Sequence, residues 1–332
     1  MQADPSTAEP ATADAEAQLE QHRRELTAYC YRMLGSAFEA EDAVQDTMVR
    51  AWRSFDRFEG RSALRSWLYR IATNVCLDLL DGRRRRARPM DLGPASDASA
   101  VLAPPLPEAT WLEPIPDARV VSTGSDPADV VDSRASIRLA FVAALQHLPA
   151  RQRAVLILRE VLRWKAAEVA ELLDTSVAAV NSALQRARAT IAESHITESD
   201  PAAPMDPAQQ ELLARYVDAF ERYDMASLTA LIAEDATQSM PPFAMWLSGR
   251  DEIFSFWLTT GAACRDSRVI PTVAANGSPA FGQYKPSGPH GELEPWALQV
   301  LEISDGRIAE LTFFLDVERV FPLFGLPLQF EG

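Results

Sequence analysis

The sequence predicts a multidomain protein in which two all-α domains precede an α+β domain. Apolar residues recur at helical spacing from Ala17 to about Arg88, and again from about Val131 to Ala192, without strand-like alternation. From Pro207 onward, one amphipathic helix is followed by aromatic-rich segments typical of strands. A length of 332 residues leaves room for two or three domains.

Composition supports folded domains and shows an uneven charge. The hydrophobic fraction of 47% is that of an ordinary globular protein. The net charge of -15 is not spread evenly, because residues 20–88 carry +4 and residues 205–332 carry −10. Surfaces that suit a polyanion are therefore confined to the two helical segments.

The sequence also excludes several classes of protein. Residues 1–18 are acidic and rich in Ala and Pro, so they predict a disordered tail rather than a signal peptide. No run of eighteen apolar residues exists, and no membrane partner is expected. Cys30, Cys76 and Cys264 are scattered, which argues against a metal site or a disulfide framework and suits a reducing cytoplasm. No cofactor is expected.

The first helical domain is expected over residues 19–88. One apolar pattern stops at Gly35, a second over residues 39–55 places Trp52 on the buried face, and a third runs over residues 63–88. Arg83, Arg84, Arg85 and Arg86 lie at the end of this third helix. Four adjacent arginines favour phosphate contact, although a solvated helix end stabilised by the macrodipole is the alternative.

The remaining boundaries follow from composition. Residues 89–130 hold eight prolines and seven acids, so they predict a linker. A second helical domain is expected over 131–195, a short linker over 196–206, and the α+β domain over 207–332. Within the last, Ser304-Asp305-Gly306 predicts a hairpin turn between two strands.

The segment from residue 166 to 191 resembles a helix-turn-helix. Ser176 is a plausible N-cap for the second helix, which would pack through Val177, Val180, Leu184 and Ala187. That packing leaves Asn181, Gln185, Arg186 and Arg188 outward, as a helix that reads a major groove requires. The same apolar spacing also fits two packed helices of a bundle.

Two stretches together resemble a known family. Residues 39–87, EAEDAVQDTMVRAWRSFDRFEGRSALRSWLYRIATNVCLDLLDGRRRRA, look like the second conserved region of extracytoplasmic-function (ECF) sigma factors. Residues 141–191, with a Leu-Pro-x-x-x-Arg entry to the helix-turn-helix, resemble their fourth region. The resemblance implies two all-α sigma domains, and as partners the β′ coiled coil and β flap of RNA polymerase core together with promoter DNA.

The resemblance also assigns roles. The polymerase-binding residues would be Glu41, Asp42, Gln45, Asp46 and Arg50. The −10 element would be opened and bound by Phe58, Arg61, Arg65, Trp67, Arg70 and Asn74, with Arg83, Arg84, Arg85 and Arg86 on phosphates. For Trp67, core packing is the favoured alternative.

The −35 element would be read by Ser176, Asn181, Gln185, Arg186 and Arg188. Asn181 and Ala183 depart from the basic residues common in the family, so the −35 preference cannot be copied from relatives.

Residues 207–332 resemble the SnoaL-like group of the nuclear-transport-factor-2-like fold, a helix and a curved sheet around a cone-shaped pocket. Together with the sigma regions this resembles the SigG-like subgroup of the family. A pocket for a small ligand would be lined by Trp246, Trp257, Tyr284, Trp296 and Phe313, although such aromatics also suit a simple core. Asp235, Asp316 and His290 are the candidates for acid/base chemistry, but none has an evident partner, so the chain is not expected to be an enzyme.

We expect the acidic C-terminal domain to regulate the basic sigma domains, in response to a small ligand or a regulatory protein. Two other functions stay open at this point: a helix-turn-helix regulator that acts without polymerase, and a ligand-transforming SnoaL-like enzyme with a DNA-binding appendage.

Overall fold

A computed structural model describes residues 16–55, 58, 63–121, 127–193, 205–288 and 290–330. These residues form two compact units. Unit 1 holds the described residues up to Arg85 with residues 119–121 and 141–193. Unit 2 holds residues 86–118 and 127–140 together with the described residues from 205 onward. Most of the predicted tail and most of the second linker lie outside the described residues.

The first helical domain in unit 1 consists of α1 (Arg23–Leu34), α2 (Ala37–Ser54) and α3 (Leu64–Leu80). Gly35 ends α1 with a left-handed φ of 73°, as its position after the apolar pattern predicted. Ser36 then caps α2 by accepting a hydrogen bond of 3.1 Å from the Glu39 amide. Tyr29 on α1 is fully buried and shares a 2.8 Å hydrogen bond with Thr73 on α3.

Two details of this domain differ from expectation. Trp52 was placed on the buried face of α2, but half of it is exposed to solvent. The arginine run does not extend α3, because that helix ends at Leu80 and Gly82 takes a left-handed φ of 69°. The arginines therefore follow the helix outside any regular element, rather than forming its last turn.

Further helices follow in order along the chain. They are α4 (Asp117–Val120), α5 (Pro127–Ala135), α6 (Leu139–Gln146), α7 (Ala150–Leu156) with a π-turn over Ile157–Val161, α8 (Ala166–Leu172) and α9 (Val177–Glu193). The pair α8 and α9 is the predicted helix-turn-helix, and Asp174 turns the chain between them with φ 48°. Val177, predicted to pack, is 44% exposed because it lies in the first turn of α9.

Unit 2 contains the predicted α+β domain. Its helices are α10 (Pro207–Glu221), α11 (Met225–Leu231), α12 (Arg250–Leu258) and α13 (Val317–Leu323). Its strands are β1 (Ile232–Ser239), β2 (Trp246–Ser248), β3 (Arg268–Pro271), β4 (Ala280–Pro286), β5 (Leu293–Ser304) and β6 (Arg307–Phe314). The strands form one sheet in the order β2-β1-β6-β5-β4-β3, in which only β1 and β6 are parallel. The predicted hairpin is confirmed, since Ser304 pairs with Arg307 across Asp305-Gly306.

The sheet carries a hydrophobic core on each face. On the first face, helices α10, α11 and α12 pack through residues such as Tyr216 and Trp257 against Leu301 and Phe313. On the second face, α13 packs through Phe321 against Tyr284 and Leu298. Alternation along the strands separates the two faces, so neighbouring aromatics such as Phe313 and Phe314 belong to different cores.

The expected linker is ordered over residues 86–118, which we call the strap. Its backbone amides bind the C-terminal domain, as in the bonds from Ser96 to the Trp246 carbonyl at 2.8 Å and from Leu106 to the Pro242 carbonyl at 2.9 Å. Trp111 in the strap is only 3% exposed. The composition correctly indicated that this segment cannot build a core alone, but it packs on the core of another domain, which the local pattern does not reveal.

Asn276 fixes both the strap and the segment before α6. Its side chain accepts a hydrogen bond of 3.0 Å from the Ile115 amide and donates one of 2.6 Å to the Ile137 carbonyl. Its own amide donates to the Ile115 carbonyl at 3.0 Å. Asn276 has a left-handed φ of 54°, which asparagine tolerates better than most residues. One loop of the C-terminal domain thus holds two segments that are far apart in sequence.

Candidate functional site

The second helix of the helix-turn-helix has one buried and one exposed face. Val180, Leu184 and Ala187 are buried, whereas Asn181 and Gln185 are exposed. Ser176 caps the helix by accepting a 3.1 Å hydrogen bond from the Ala179 amide. The exposed face offers amide and guanidinium groups that can pair with base edges and phosphates in a major groove. The residues predicted to read the −35 element lie on this exposed face or at its start.

The two arginines of this surface differ in their surroundings. Arg186 is exposed, while Arg188 donates a 2.6 Å hydrogen bond to Glu160 on the π-turn. An exposed ion pair of this kind is weak, so a phosphate can compete for Arg188. Arg186 is therefore the more accessible of the two guanidinium groups.

The exposed edge of α2 carries the five predicted polymerase-binding residues. Asp42 and Gln45 are exposed, and Asp46 pairs with Arg50 at 2.7 Å. Glu41 forms an ion pair with Arg119, which follows the strap in the chain. Val49 and Trp52 are 39% and 50% exposed on the same helix, a pair of apolar groups that the sequence reasoning did not assign to this surface. Acidic groups beside exposed apolar ones are suited to a basic, partly apolar partner.

Half-buried aromatic rings cluster between α2 and α3. The Phe58 ring lies 5.1 Å from the Trp67 ring and 6.3 Å from the Phe55 ring, measured between centroids. The rings remain partly accessible, so they can stack on unpaired bases. The structure brings together Phe58 and Trp67 as predicted and adds Phe55. Arg61, assigned to the same surface, lies outside the described residues.

Two predicted −10 residues contact the second helical domain instead of facing solvent freely. Arg65 lies over the rings of Tyr69 and Trp164 at 5.2 and 5.5 Å, and it also binds Glu25 at 2.7 Å. Arg70 donates a 3.1 Å hydrogen bond to the Glu171 carbonyl on α8. Asn74, one turn further along α3, is exposed. Trp164 was not among the predicted residues, because a single tryptophan in a helical run does not indicate such a contact.

Arg153 is a buried link between the two helical domains. It is 4% exposed, and it donates to the Gln146 side chain at 2.6 Å and to the Gln146 and Leu148 carbonyls, each at 3.2 Å. It also donates to the Met33 carbonyl at the end of α1. Burial lowers the pKa of this guanidinium to about 10. Arg153 is the final residue of the Leu-Pro-x-x-x-Arg pattern, which sequence reasoning used as a signature without seeing what the arginine does.

The arginine run does not act as a single patch. Arg83 binds Glu39 at 2.6 Å, Arg85 binds His147 at 2.7 Å, and Arg84 is exposed. Arg86 is only 6% exposed and donates to the carbonyls of Glu108 and Trp111 in the strap, at 3.2 and 2.6 Å. The expectation that Arg86 contacts phosphate is therefore corrected, because its guanidinium satisfies buried backbone carbonyls.

Comparisons with known proteins identify the domain families in the chain. The Sigma-70 region 2 family matches residues 19–86, the Sigma-70 region 4 family matches residues 138–191, and the SnoaL-like domain family matches residues 213–311. The ECF RNA polymerase sigma factor SigG of Mycobacterium tuberculosis is 47% identical over 318 residues, which cover 95% of this chain and 84% of that protein. The chain belongs to the ECF sigma factors.

One further relative, compared in sequence and in structure, resembles this ECF factor. The ECF RNA polymerase sigma factor SigJ of Mycobacterium tuberculosis is 30% identical over 219 residues, or 65% of this chain and 61% of that one. The crystal structure of SigJ from the same organism superposes with a TM-score of 0.59 at 22% identity, covering 96% of this chain and 99% of that one. At that identity the superposition shows the fold. No described helix is both long and apolar enough to cross a membrane.

In this ECF factor the SnoaL-like domain does not gather the five predicted pocket residues. Trp257 and Phe313 belong to the first-face core, whereas Tyr284 lies in the second-face core and donates to the Pro327 carbonyl at 2.8 Å. Trp246 donates to the Gly93 carbonyl of the strap at 2.9 Å, and Trp296 lies 3.4 Å below the Lys285 ammonium. The prediction of one pocket lined by all five is wrong, because Tyr284 lies on the opposite face of the sheet from Trp257, Phe313 and Trp296.

The core of the SnoaL-like domain instead holds a chain of buried amides. Tyr216 donates to Gln299 at 2.9 Å, Gln299 to Gln283 at 2.9 Å, and Gln283 to Ser267 at 3.0 Å. Each of these side-chain bonds satisfies a group that would be costly to bury alone.

The three candidate acid/base residues lie on separate elements. Asp235 stands within β1, rather than before a strand as expected. Asp316 precedes α13 and pairs with Arg319 at 3.6 Å, and His290 lies between β4 and β5. The described residues place no two of them together as a catalytic pair. Sigma factors direct the catalysis of polymerase, and membership of that family makes the chain a specificity subunit rather than an enzyme.

Proposed function

We propose that the protein carries RNA polymerase core to specific promoters through α2, reads the −35 element through α9, and opens the −10 element through α3 and the aromatic cluster. The observation that carries the proposal is that one chain of the ECF family exposes polar residues on α2 and α9 and keeps a partly accessible aromatic cluster beside α3. Its place of action is then wherever polymerase and DNA are, the bacterial cytoplasm. The rival reading as a regulator without polymerase leaves the exposed edge of α2 without a role.

We further infer that unit 1 is in a resting arrangement. Elements centred at −10 and −35 are separated by about 25 base pairs, or roughly 85 Å at 3.4 Å per pair. In unit 1 the Tyr69 ring on α3 lies 5.1 Å from the Trp164 ring just before α8. One molecule in this arrangement cannot span both elements. Release of Arg65 and Arg70 from the second helical domain would have to accompany promoter binding.

The SnoaL-like domain is suited to control that release. Residues 86–118 connect the two helical domains in sequence, and they are held along the SnoaL-like domain by Asn276 and by backbone bonds. A bound strap is a shorter tether than a free one, so it limits how far the two helical domains can separate. Weakening the hydrogen bonds between the strap and the SnoaL-like domain should therefore favour the promoter-bound state.

Run-off transcription with purified core polymerase tests the proposal. Gln185→Ala combined with Arg186→Ala should lower transcription from a cognate promoter at least tenfold, because both groups face the groove. The variant should still bind core polymerase, since its α2 is intact. Arg222→Ala, an exposed arginine of the C-terminal domain, is the matched control and should transcribe normally.

A second variant tests polymerase docking. Asp42→Arg reverses the charge of an exposed α2 residue, and it should weaken capture of core polymerase while leaving the DNA surfaces unchanged. Normal polymerase capture by this variant, together with normal transcription by the α9 variant, would refute the assignment of both surfaces.

A further inference from the structure

Unit 2 contains a cavity of about 200 Å³ on the second face of the sheet, away from the aromatic core that encloses Trp257. Strands β1, β5 and β6 form its wall, and the residues just before and at the start of α6 complete it. The lining residues are Arg138, Leu139, Ala140, Asp235, Thr237, Val300, Glu302, Ser304, Ala309, Glu310 and Thr312. This is a different space from the one in which the sequence led us to expect a ligand.

Strand register places two carboxylates side by side on the cavity wall. Glu302 on β5 pairs directly with Glu310 on β6, which in turn pairs with Thr237 on β1. Like charges directly opposite each other in a sheet are destabilising. Asp235, two residues before Thr237 on β1, adds a third carboxylate to the same wall. The sheet thus keeps an unfavourable charge arrangement facing an open space.

Neutralisation of this wall is incomplete. Glu302 accepts a 2.7 Å hydrogen bond from Ser278 and lies 3.7 Å from Arg138, and Arg88 adds a weaker attraction. Burial, with a smaller contribution from the neighbouring Glu310, raises the pKa of Glu302 to about 7. Within the described part of the chain, neither Asp235 nor Glu310 forms an ion pair with an arginine or lysine. The lining carries three carboxylates against one guanidinium.

The size and chemistry of the lining define the class of ligand. At about 30 Å³ per water, the cavity holds roughly six or seven waters, which is the size of a small metabolite. No three metal-binding side chains come together among the described residues, so a bare metal ion is not the best fit. An ammonium or guanidinium group would satisfy the carboxylates that lack an ion-pair partner, with Thr237 and Ser304 on the same lining for further hydrogen bonds.

We propose that this cavity binds a small organic cation, held by Glu310 and Asp235 and by the charged form of Glu302. Binding should release a proton from Glu302 near neutral pH, because a bound cation favours the carboxylate. The ligand would also contact Leu139 and Ala140, the first two residues of α6, where the Sigma-70 region 4 match begins. The cavity is thereby placed to pass a chemical signal to the promoter-reading half of the chain.

Isothermal titration of the full-length protein with butane-1,4-diammonium tests the proposal, with sodium chloride at equal ionic strength as background. We expect saturable binding, with a proton release revealed by repeating the titration in buffers of different ionisation enthalpy. Glu310→Gln and, separately, Asp235→Asn should each weaken binding at least tenfold. Glu294→Gln, an exposed glutamate of the same strand β5, should bind like the parent protein.

The proposal is overturned if the dication shows no saturable binding, or if it binds Glu310→Gln and Asp235→Asn as tightly as the parent. Comparable binding of uncharged butane-1,4-diol or of succinate would overturn the assignment to cations. The titration contains neither polymerase nor DNA, so its result is independent of whether the promoter surfaces are assigned correctly.

Discussion

Replacing Glu302 with glutamine should make the sheet of unit 2 more stable at alkaline pH and leave it almost unchanged at acidic pH. Burial raises the pKa of Glu302 from its ordinary 4.5 to about 7. Between these values the folded chain holds a proton that the unfolded chain has lost. Folding is therefore favoured at low pH, and that advantage is lost as the pH rises through 4.5 to 7.

The size of the effect follows from the same difference. A pKa raised from 4.5 to about 7 corresponds to about 3 kcal/mol at pH 8, as an upper limit. Glutamine keeps an oxygen that can accept the Ser278 hydrogen bond, but it loses the attraction of Arg138 at 3.7 Å. We therefore expect Glu302→Gln to gain about 1–2 kcal/mol at pH 8 and close to nothing at pH 5.

Hydrogen exchange of peptides from β5 and β6 measures this stability locally, after correction for the intrinsic exchange rate at each pH. Glu294→Gln removes an exposed charge from the same strand and should show no pH-dependent gain. An equal change in protection at pH 5 and pH 8, or a loss of protection at pH 8, would contradict this reasoning. It would show that burial of a charged Glu302 does not limit the stability of the sheet.

Three further substitutions test other contacts. Asn276→Ala removes hydrogen bonds that hold the strap and the segment before α6, and it should lower the free energy of unfolding by about 2–4 kcal/mol. Proteolysis within residues 86–118 should then become faster. An unchanged rate of proteolysis would contradict the role of this loop. Ser176→Ala removes the α9 cap and should lower the unfolding free energy by about 1 kcal/mol in thermal denaturation, whereas Ser176→Thr should retain most of it. Trp257→Phe leaves the Gln238 side chain without its 2.7 Å bond and should cost about 1–3 kcal/mol in urea denaturation, a loss that Gln238→Leu in the same chain should partly restore.

The elements were predictable where local chemistry determines them. Gly35, Ser176 and Asp305-Gly306 each mark a boundary through backbone or capping chemistry, and the structure has a boundary at each place. Burial along α2 was less predictable, because helical spacing alone cannot distinguish a core position from an exposed apolar one such as Trp52.

Long-range partners account for most of what the sequence did not reveal. Arg86 looked like its neighbours in an arginine run, yet it is buried because carbonyl groups about 22 and 25 residues later need a donor. The predicted pocket failed for a similar reason, since the side to which Tyr284 points depends on a register shift between β4 and β5. Such partners are set by tertiary packing rather than by any local pattern.

The strap also constrains how this protein can be truncated and how its domains can be exchanged with those of relatives. A truncation before Pro207 would remove the partner of residues 86–118 and leave Ala98 and Leu102, which pack against the first-face core, without their cover. Loss of function after such a truncation would therefore report aggregation as readily as lost regulation. A chimera that borrows a SnoaL-like domain from a relative should carry that relative's strap as well, because the two segments form one interface and their side chains must change together.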